Sequence, residues 1–227
     1  MALVYFRSPP WFFGLDSLLE TIIVITAFMV SFYSYKIFTI LHNKRHKYFS
    51  IAFFLIGFAY FFKIISSLVL HPDIKSSLHA LMMTMIPQFS TVDIIHFYSF
   101  LLFKLLTVWG FMMLFFIAID IKRKAVVIVT AYLSFLSVVF SSYDGTTIYH
   151  TVAIAFLSFI WWYYYNNHLR VKNRSSQRTL IGFSLLLAAH IIFMIDYPIF
   201  YFLGEIAIIL GFAILLYNQI KLQNTRP

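Results

Sequence analysis

Four ionisable side chains sit inside strongly apolar sequence: Lys63, Lys104, His190 and Glu205. Such groups are expensive to keep away from water, so each needs a partner or a purpose. An acid, two amines and an imidazole at comparable depth suit a polar pocket for a small molecule, a lipid head group or an ion. A second grouping, His96, His150 and His190, offers imidazoles for a b-type haem or for a divalent metal such as copper or zinc. Both groupings share His190.

Several other chemistries lack their residues. There is no His-Glu-x-x-His, no Gly-x-Ser-x-Gly and no phosphate-binding Walker loop. The chain has no cysteine, which removes disulfides, thiolate metal sites and cysteine nucleophiles. A retinal protein needs a Schiff-base lysine within its last span, and here none precedes Lys221 at the far end. The inner half lacks a polar relay for a proton or ion transporter, and no span carries a continuous polar face for a channel. The expectation is a binding protein rather than an enzyme, with a haem- or metal-binding redox protein or a structural subunit of a membrane complex as the alternatives.

The elements that must position these residues follow from composition. Of 227 residues, 62% are hydrophobic and only 11% charged, and the mean hydropathy is +0.87. Soluble domains are nearer half apolar and a quarter charged. An all-α, polytopic seven-transmembrane-helix bundle is expected, as one domain over 1–227. Its spans lie at about 16–41, 48–70, 94–119, 125–141, 148–166, 179–195 and 198–222. Each is long enough for a hydrocarbon core of about 30 Å at about 1.5 Å per residue, span 4 only barely. Without water to satisfy the backbone, such spans must be helices. Ile74, Leu78, Leu81, Met82 and Met85 mark one face of a helix over about 73–86, expected to lie on the membrane surface. The N-terminal MALVYFRSPPWFFG shows no cleavable signal pattern.

Charge orients the bundle. One side collects Lys44, Arg45, Lys47, Lys122, Arg123, Lys124, Arg170, Lys172, Arg174, Arg178, Lys221 and Arg226, and the other only Arg7 and Lys75. The positive-inside rule then puts the N-terminus outside and the C-terminus in the cytoplasm, in a plasma membrane. The net charge of +9 is thus read as a topology signal and a contact with anionic lipid, and no nucleic-acid partner is expected. With this orientation His190 lies about 8 Å below the outer boundary, Glu205 and Lys63 about 10 Å, and Lys104 about 15 Å.

Each residue also has a plainer reading. Ser17-Leu-Leu-Glu20 has capping-box spacing, which makes Glu20 a helix cap. Lys63 can snorkel outward on its aliphatic stem. Lys104 and Glu205 can pair with each other. His96 and His150 fit an interface, and His42 and His46 flank Lys44 and Arg45 in a basic turn that repels metal.

A weak internal repeat aligns Leu102-Phe-Lys104 through Gly110-Phe111 with Leu203-Gly-Glu205 through Gly211-Phe212, and sets Lys104 opposite Glu205. Spans 1–3 and 5–7 as parallel halves around span 4, a 3+1+3 plan, would produce it. Phe32-Tyr-Ser-Tyr-Lys36, Tyr48-Phe-Ser-Ile-Ala-Phe-Phe53 and the Leu203–Tyr217 ending resemble small prokaryotic seven-helix membrane proteins. These are similar to the membrane input domains found ahead of histidine kinases and cyclases. The resemblance implies a sensor or receptor. No kinase or cyclase domain follows span 7, so a membrane or cytoplasmic protein partner would take up its signal.

Overall fold

The computed structural model describes residues 15–69, 91–120, 123–141, 147–195 and 197–224. Over these the chain forms seven helices: α1 (Leu15–Leu41), α2 (Lys44–Val69), α3 (Thr91–Ile119), α4 (Lys124–Ser141), α5 (Thr147–Val171), α6 (Arg174–Ile192) and α7 (Pro198–Asn224). Five of them, α1, α2, α3, α4 and α7, contain stretches long and apolar enough to cross a membrane. The surface helix expected at about 73–86 lies outside the described residues.

Two helix starts differ from the sequence reading. The basic run after His42 was expected to be a loop, yet α2 already begins at Lys44. The 167–178 stretch was likewise expected to be a loop, yet α5 runs to Val171 and α6 starts at Arg174. Both connections use one device. His42 and Lys172 adopt a left-handed backbone, with φ of 52° and 48°. The following asparagine then accepts a backbone N–H with its side chain: Asn43 Oδ1 from Arg45 at 3.0 Å, Asn173 Oδ1 from Ser176 at 2.7 Å. Two residues suffice to stop one helix and cap the next.

The helices pack as a ring in which α1 meets α2, α2 meets α3, α3 meets α5, α5 meets α6, α6 meets α7 and α7 returns to α1. Helix α4 leans on α3 and α5 from outside. Its Ile128, Val129, Tyr132, Leu133 and Phe140 face outward. The core inside the ring runs from Ile23, Ala27 and Val30 through Phe53 and Ile56 to Leu157, Ile160, Phe183, Leu186, Ile208 and Phe212. Ser31 and Ser50 exchange hydrogen bonds across α1 and α2 at 2.8–3.1 Å, satisfying hydroxyls that have no water nearby.

Two glycines sit at matching helix crossings. A Cβ on Gly110 would fall 2.5 Å from Ile56 Cγ1 and 3.0 Å from the Ala52 carbonyl oxygen. A Cβ on Gly211 would meet the Gly182 carbonyl oxygen and Leu186 Cδ2, both at 3.1 Å. The α3–α2 and α7–α6 contacts are therefore built alike.

Candidate functional site

The buried stripe of α1 reads Asp16, Glu20, Ile23, Ala27, Val30, one face of a helix. That phase turns Glu20 inward. It does not act as the expected cap: the Ser17 N–H is taken by Asp16 Oδ1 at 2.8 Å. The buried stripe of α2 includes Ile56, Tyr60 and Lys63, so Lys63 also points inward. The snorkelling expected of Lys63 does not occur, because its helical phase matches the core.

Glu20, Lys63 and Glu205 meet at one nitrogen. Lys63 Nζ lies 3.0 Å from Glu20 Oε1 and 2.6 Å from Glu205 Oε1. Glu20 is 1% exposed and Glu205 0%. Three rings surround the ammonium, with centroids 5.5 Å (Tyr60), 5.6 Å (Phe103) and 5.0 Å (Tyr201) away. Their π faces stabilise a desolvated cation. Two carboxylates share one lysine, and the Oε2 atoms of Glu20 and Glu205 accept no hydrogen bond from the described residues.

Lys104 does not pair with Glu205 as expected. Glu205 takes Lys63 instead, and α3 and α7 are not neighbours in the ring. Lys104 Nζ donates to the Ser141 carbonyl at 3.0 Å and sits 4.5 Å from the Phe100 ring centroid. Ser141 closes α4, where carbonyls lack helical partners and the helix dipole is negative. Lys104 thus fastens the end of α4 to the ring.

The histidines divide into a pair and a third member. His150 Nδ1 and His190 Nδ1 are 3.1 Å apart and buried. Two neutral rings at this distance hold opposite tautomers, one donating from Nδ1 to the other's bare Nδ1. His190 is also edge-on to Phe111, with centroids 5.4 Å apart. His96 Nδ1 contacts Ser66 Oγ at 2.7 Å and the Ser66 carbonyl oxygen at 3.3 Å. Among the described residues no three His, Asp or Glu side chains converge as a metal site. The haem-or-metal grouping is thus a pair plus a separate histidine.

Lys63 and the three histidines border one cavity of about 60 Å³. Its wall takes Asp16 from α1, Tyr60, Lys63, Ser66 and Ser67 from α2, and His96, Phe100 and Phe103 from α3. Tyr149 and His150 of α5, His190 of α6 with Phe193 just beyond it, and Tyr201 of α7 complete the wall. Every ring helix contributes and α4 does not. The volume holds about four to six water-sized groups. Of the expected site residues, Lys63, His96, His150 and His190 line the cavity, Glu205 stands behind Lys63, and Lys104 lies outside the wall. Sequence reasoning missed Asp16, Glu20, Tyr60 and Tyr149 as site residues. The four-and-three spacing of the α1 stripe is the signal that carries Asp16 and Glu20.

Comparison with family models, with curated proteins and with solved structures finds no match to this chain.

Proposed function

We propose that the protein is a non-enzymatic receptor or sensor of a plasma membrane, which binds a small polar ligand within the helix ring. The observation that carries this reading is the cavity itself. Six helices each supply side chains to it, and charged, imidazole, phenolic and hydroxyl groups converge there beside Phe100, Phe103 and Phe193. Small-molecule sites have this character: an apolar concavity with a few convergent polar groups. A ligand touching His190 and Lys63 would bear on α6 directly and on α7 through Glu205. A shift of α6 and α7 would then reach the other end of the bundle, where a partner protein reads it.

All seven helices span the membrane in this reading, with the N-terminus outside. Two features support it. The cavity residues lie near the N-terminal ends of α1, α3, α5 and α7 and the C-terminal ends of α2 and α6, which together form one end of an alternating bundle. Lys44, Arg45, Lys47, Arg170, Lys172, Arg174, Arg178 and Lys221 crowd the opposite end, as the positive-inside rule requires of the cytoplasmic side.

The reading includes the 3+1+3 plan. Aligning the two His/Lys-Asn turns sets Glu20 on His150, Ile23 on Ala153, Ala27 on Leu157 and Val30 on Ile160, all buried. Continuing past the turns sets Ala52 on Gly182, Phe53 on Phe183, Ile56 on Leu186 and Tyr60 on His190, again all buried. Gly110 rests on Ala52 and Ile56, and Gly211 on their counterparts Gly182 and Leu186. The ring order is also unchanged when α1–α3 and α5–α7 exchange places. The cavity then lies at the interface of the halves, where repeat-built membrane proteins keep their ligands.

Native mass spectrometry of the protein extracted from its own membrane in lipid nanodiscs tests the ligand claim. Wild type is expected to carry a small-molecule adduct that Ser67→Trp, which fills the cavity from its half-buried wall, lacks. Identical adduct patterns in both would contradict the reading.

A further inference from the structure

Charge counting in the ionic cluster carries a second conclusion, independent of the ligand. Glu20 and Glu205 bring two negative charges to the single positive charge of Lys63. One negative charge is left over, more than nine-tenths buried. An uncompensated carboxylate in such a place is far more costly than a neutral one. Glu205 Oε2 and both oxygens of Glu20 accept no hydrogen bond from the described residues, Glu20 Oε1 meeting Lys63 as an ion pair alone. Neither glutamate lines the cavity, whereas Lys63 does. The carboxylates thus stand off the cavity wall, and no three-ligand metal site is found among the described residues.

We propose that Glu20, Lys63 and Glu205 form a proton-binding site: one proton resides on the two carboxylates while Lys63 keeps its charge. One O–H bond forms on a carboxylate oxygen and no other bond changes. The cluster is then neutral, with one carboxylic acid, one carboxylate and one ammonium. Lys63, standing between the carboxylates and the cavity, is the point of exchange with cavity water. The groups that face the cluster are Asp16 of α1, Tyr60 of α2, Tyr149 and His150 of α5, His190 of α6 and Tyr201 of α7, with the Phe103 ring from α3. None of them supplies a second fixed positive charge.

The chain makes the test selective, because Glu20 and Glu205 are its only glutamates. The full-length protein, labelled with ¹³C at the glutamate side-chain carboxyl and held in lipid nanodiscs, reports these two groups alone by NMR. At neutral pH the two carboxyls together are expected to show one protonated and one ionised equivalent, as separate signals or as a shared average. Glu20→Gln, whose amide stands in for the neutral acid, is expected to leave Glu205 fully ionised, and Glu205→Gln to do the same for Glu20. Replacing sodium and potassium by choline is expected to change nothing. Two ionised carboxyls in wild type would overturn the proposal, as would two protonated ones. A spectrum that changes when the metal cations are withdrawn would overturn it in favour of a cation site. The wild-type spectrum decides the matter even where a variant fails to fold. It also stands apart from the adduct measurement, so either conclusion can fail alone.

Discussion

Lys63→Met is expected to destabilise the protein by about 3–5 kcal/mol, the largest effect of any single substitution at the site. The variant leaves Glu20 and Glu205 buried together without their shared cation. Breaking a buried ion pair from one side has this magnitude because the stranded charge keeps its full desolvation penalty. Methionine nearly matches the lysine stem in length, so packing loss adds little. Unfolding in mixed micelles with rising denaturant measures the difference. The triple variant Lys63→Met, Glu20→Gln, Glu205→Gln removes every charge and is expected to regain most of the loss. Glu205→Gln alone is expected to lie within about 1 kcal/mol of wild type, since it keeps the Lys63–Glu20 pair and its amide takes the place of the neutral acid. A Lys63→Met protein as stable as wild type would show that the cluster is not the bundle's electrostatic centre.

The second large effect lies at the helix crossings. Gly110→Leu is expected to lose about 2 kcal/mol net. The Cβ alone would come within 2.5 Å of Ile56 Cγ1, an atom close to its backbone and unable to swing away. Overpacking of this kind costs about 3 kcal/mol at the upper end of its range. Better helix propensity than glycine returns about 1 kcal/mol. Gly211→Leu should behave in the same way, because its space is bounded by Gly182 and Leu186 at the matching crossing. Gly57→Ala is the control: its Cβ meets the rim of the Phe28 ring at 3.1 Å, which can tilt, and Ala27 Cβ at an ordinary 3.4 Å. The same unfolding assay ranks the three. A harmless leucine at Gly110 would mean that α2 and α3 are not in close contact there.

Much of the fold is legible in the sequence because the signals are local. Apolar runs, basic turns and the Asp/Gly/Pro punctuation place all seven helices to within a few residues. The exceptions, the early starts of α2 and α6, depend on left-handed residues at His42 and Lys172 whose sequence signal is faint: neither is glycine. The site is legible in depth and not in pairing. Counting residues from the helix ends brings His190, Glu205 and Lys63 to one level. It does not say which way each faces. Aligning α3 with α7 sets Lys104 against Glu205, yet these two helices sit across the ring from each other, so the two residues do not touch. Glu20 was explained away by a capping pattern that fits Ser17 in sequence but yields to Asp16 in space. The helical phase of whole buried stripes, rather than single spacings, separates these cases.

The absence of cysteine makes the pocket and its sidedness measurable in one experiment. Ser67 borders the cavity, half-buried, and Lys47 is exposed at the opposite end. In sealed membranes of defined orientation, Ser67→Cys is expected to react with a membrane-impermeant thiol reagent added outside, while Lys47→Cys reacts only once the membrane is opened. A Ser67→Cys protein that is folded yet resists the reagent from outside, or is labelled only from the cytoplasmic face, would contradict an outward-facing ligand pocket.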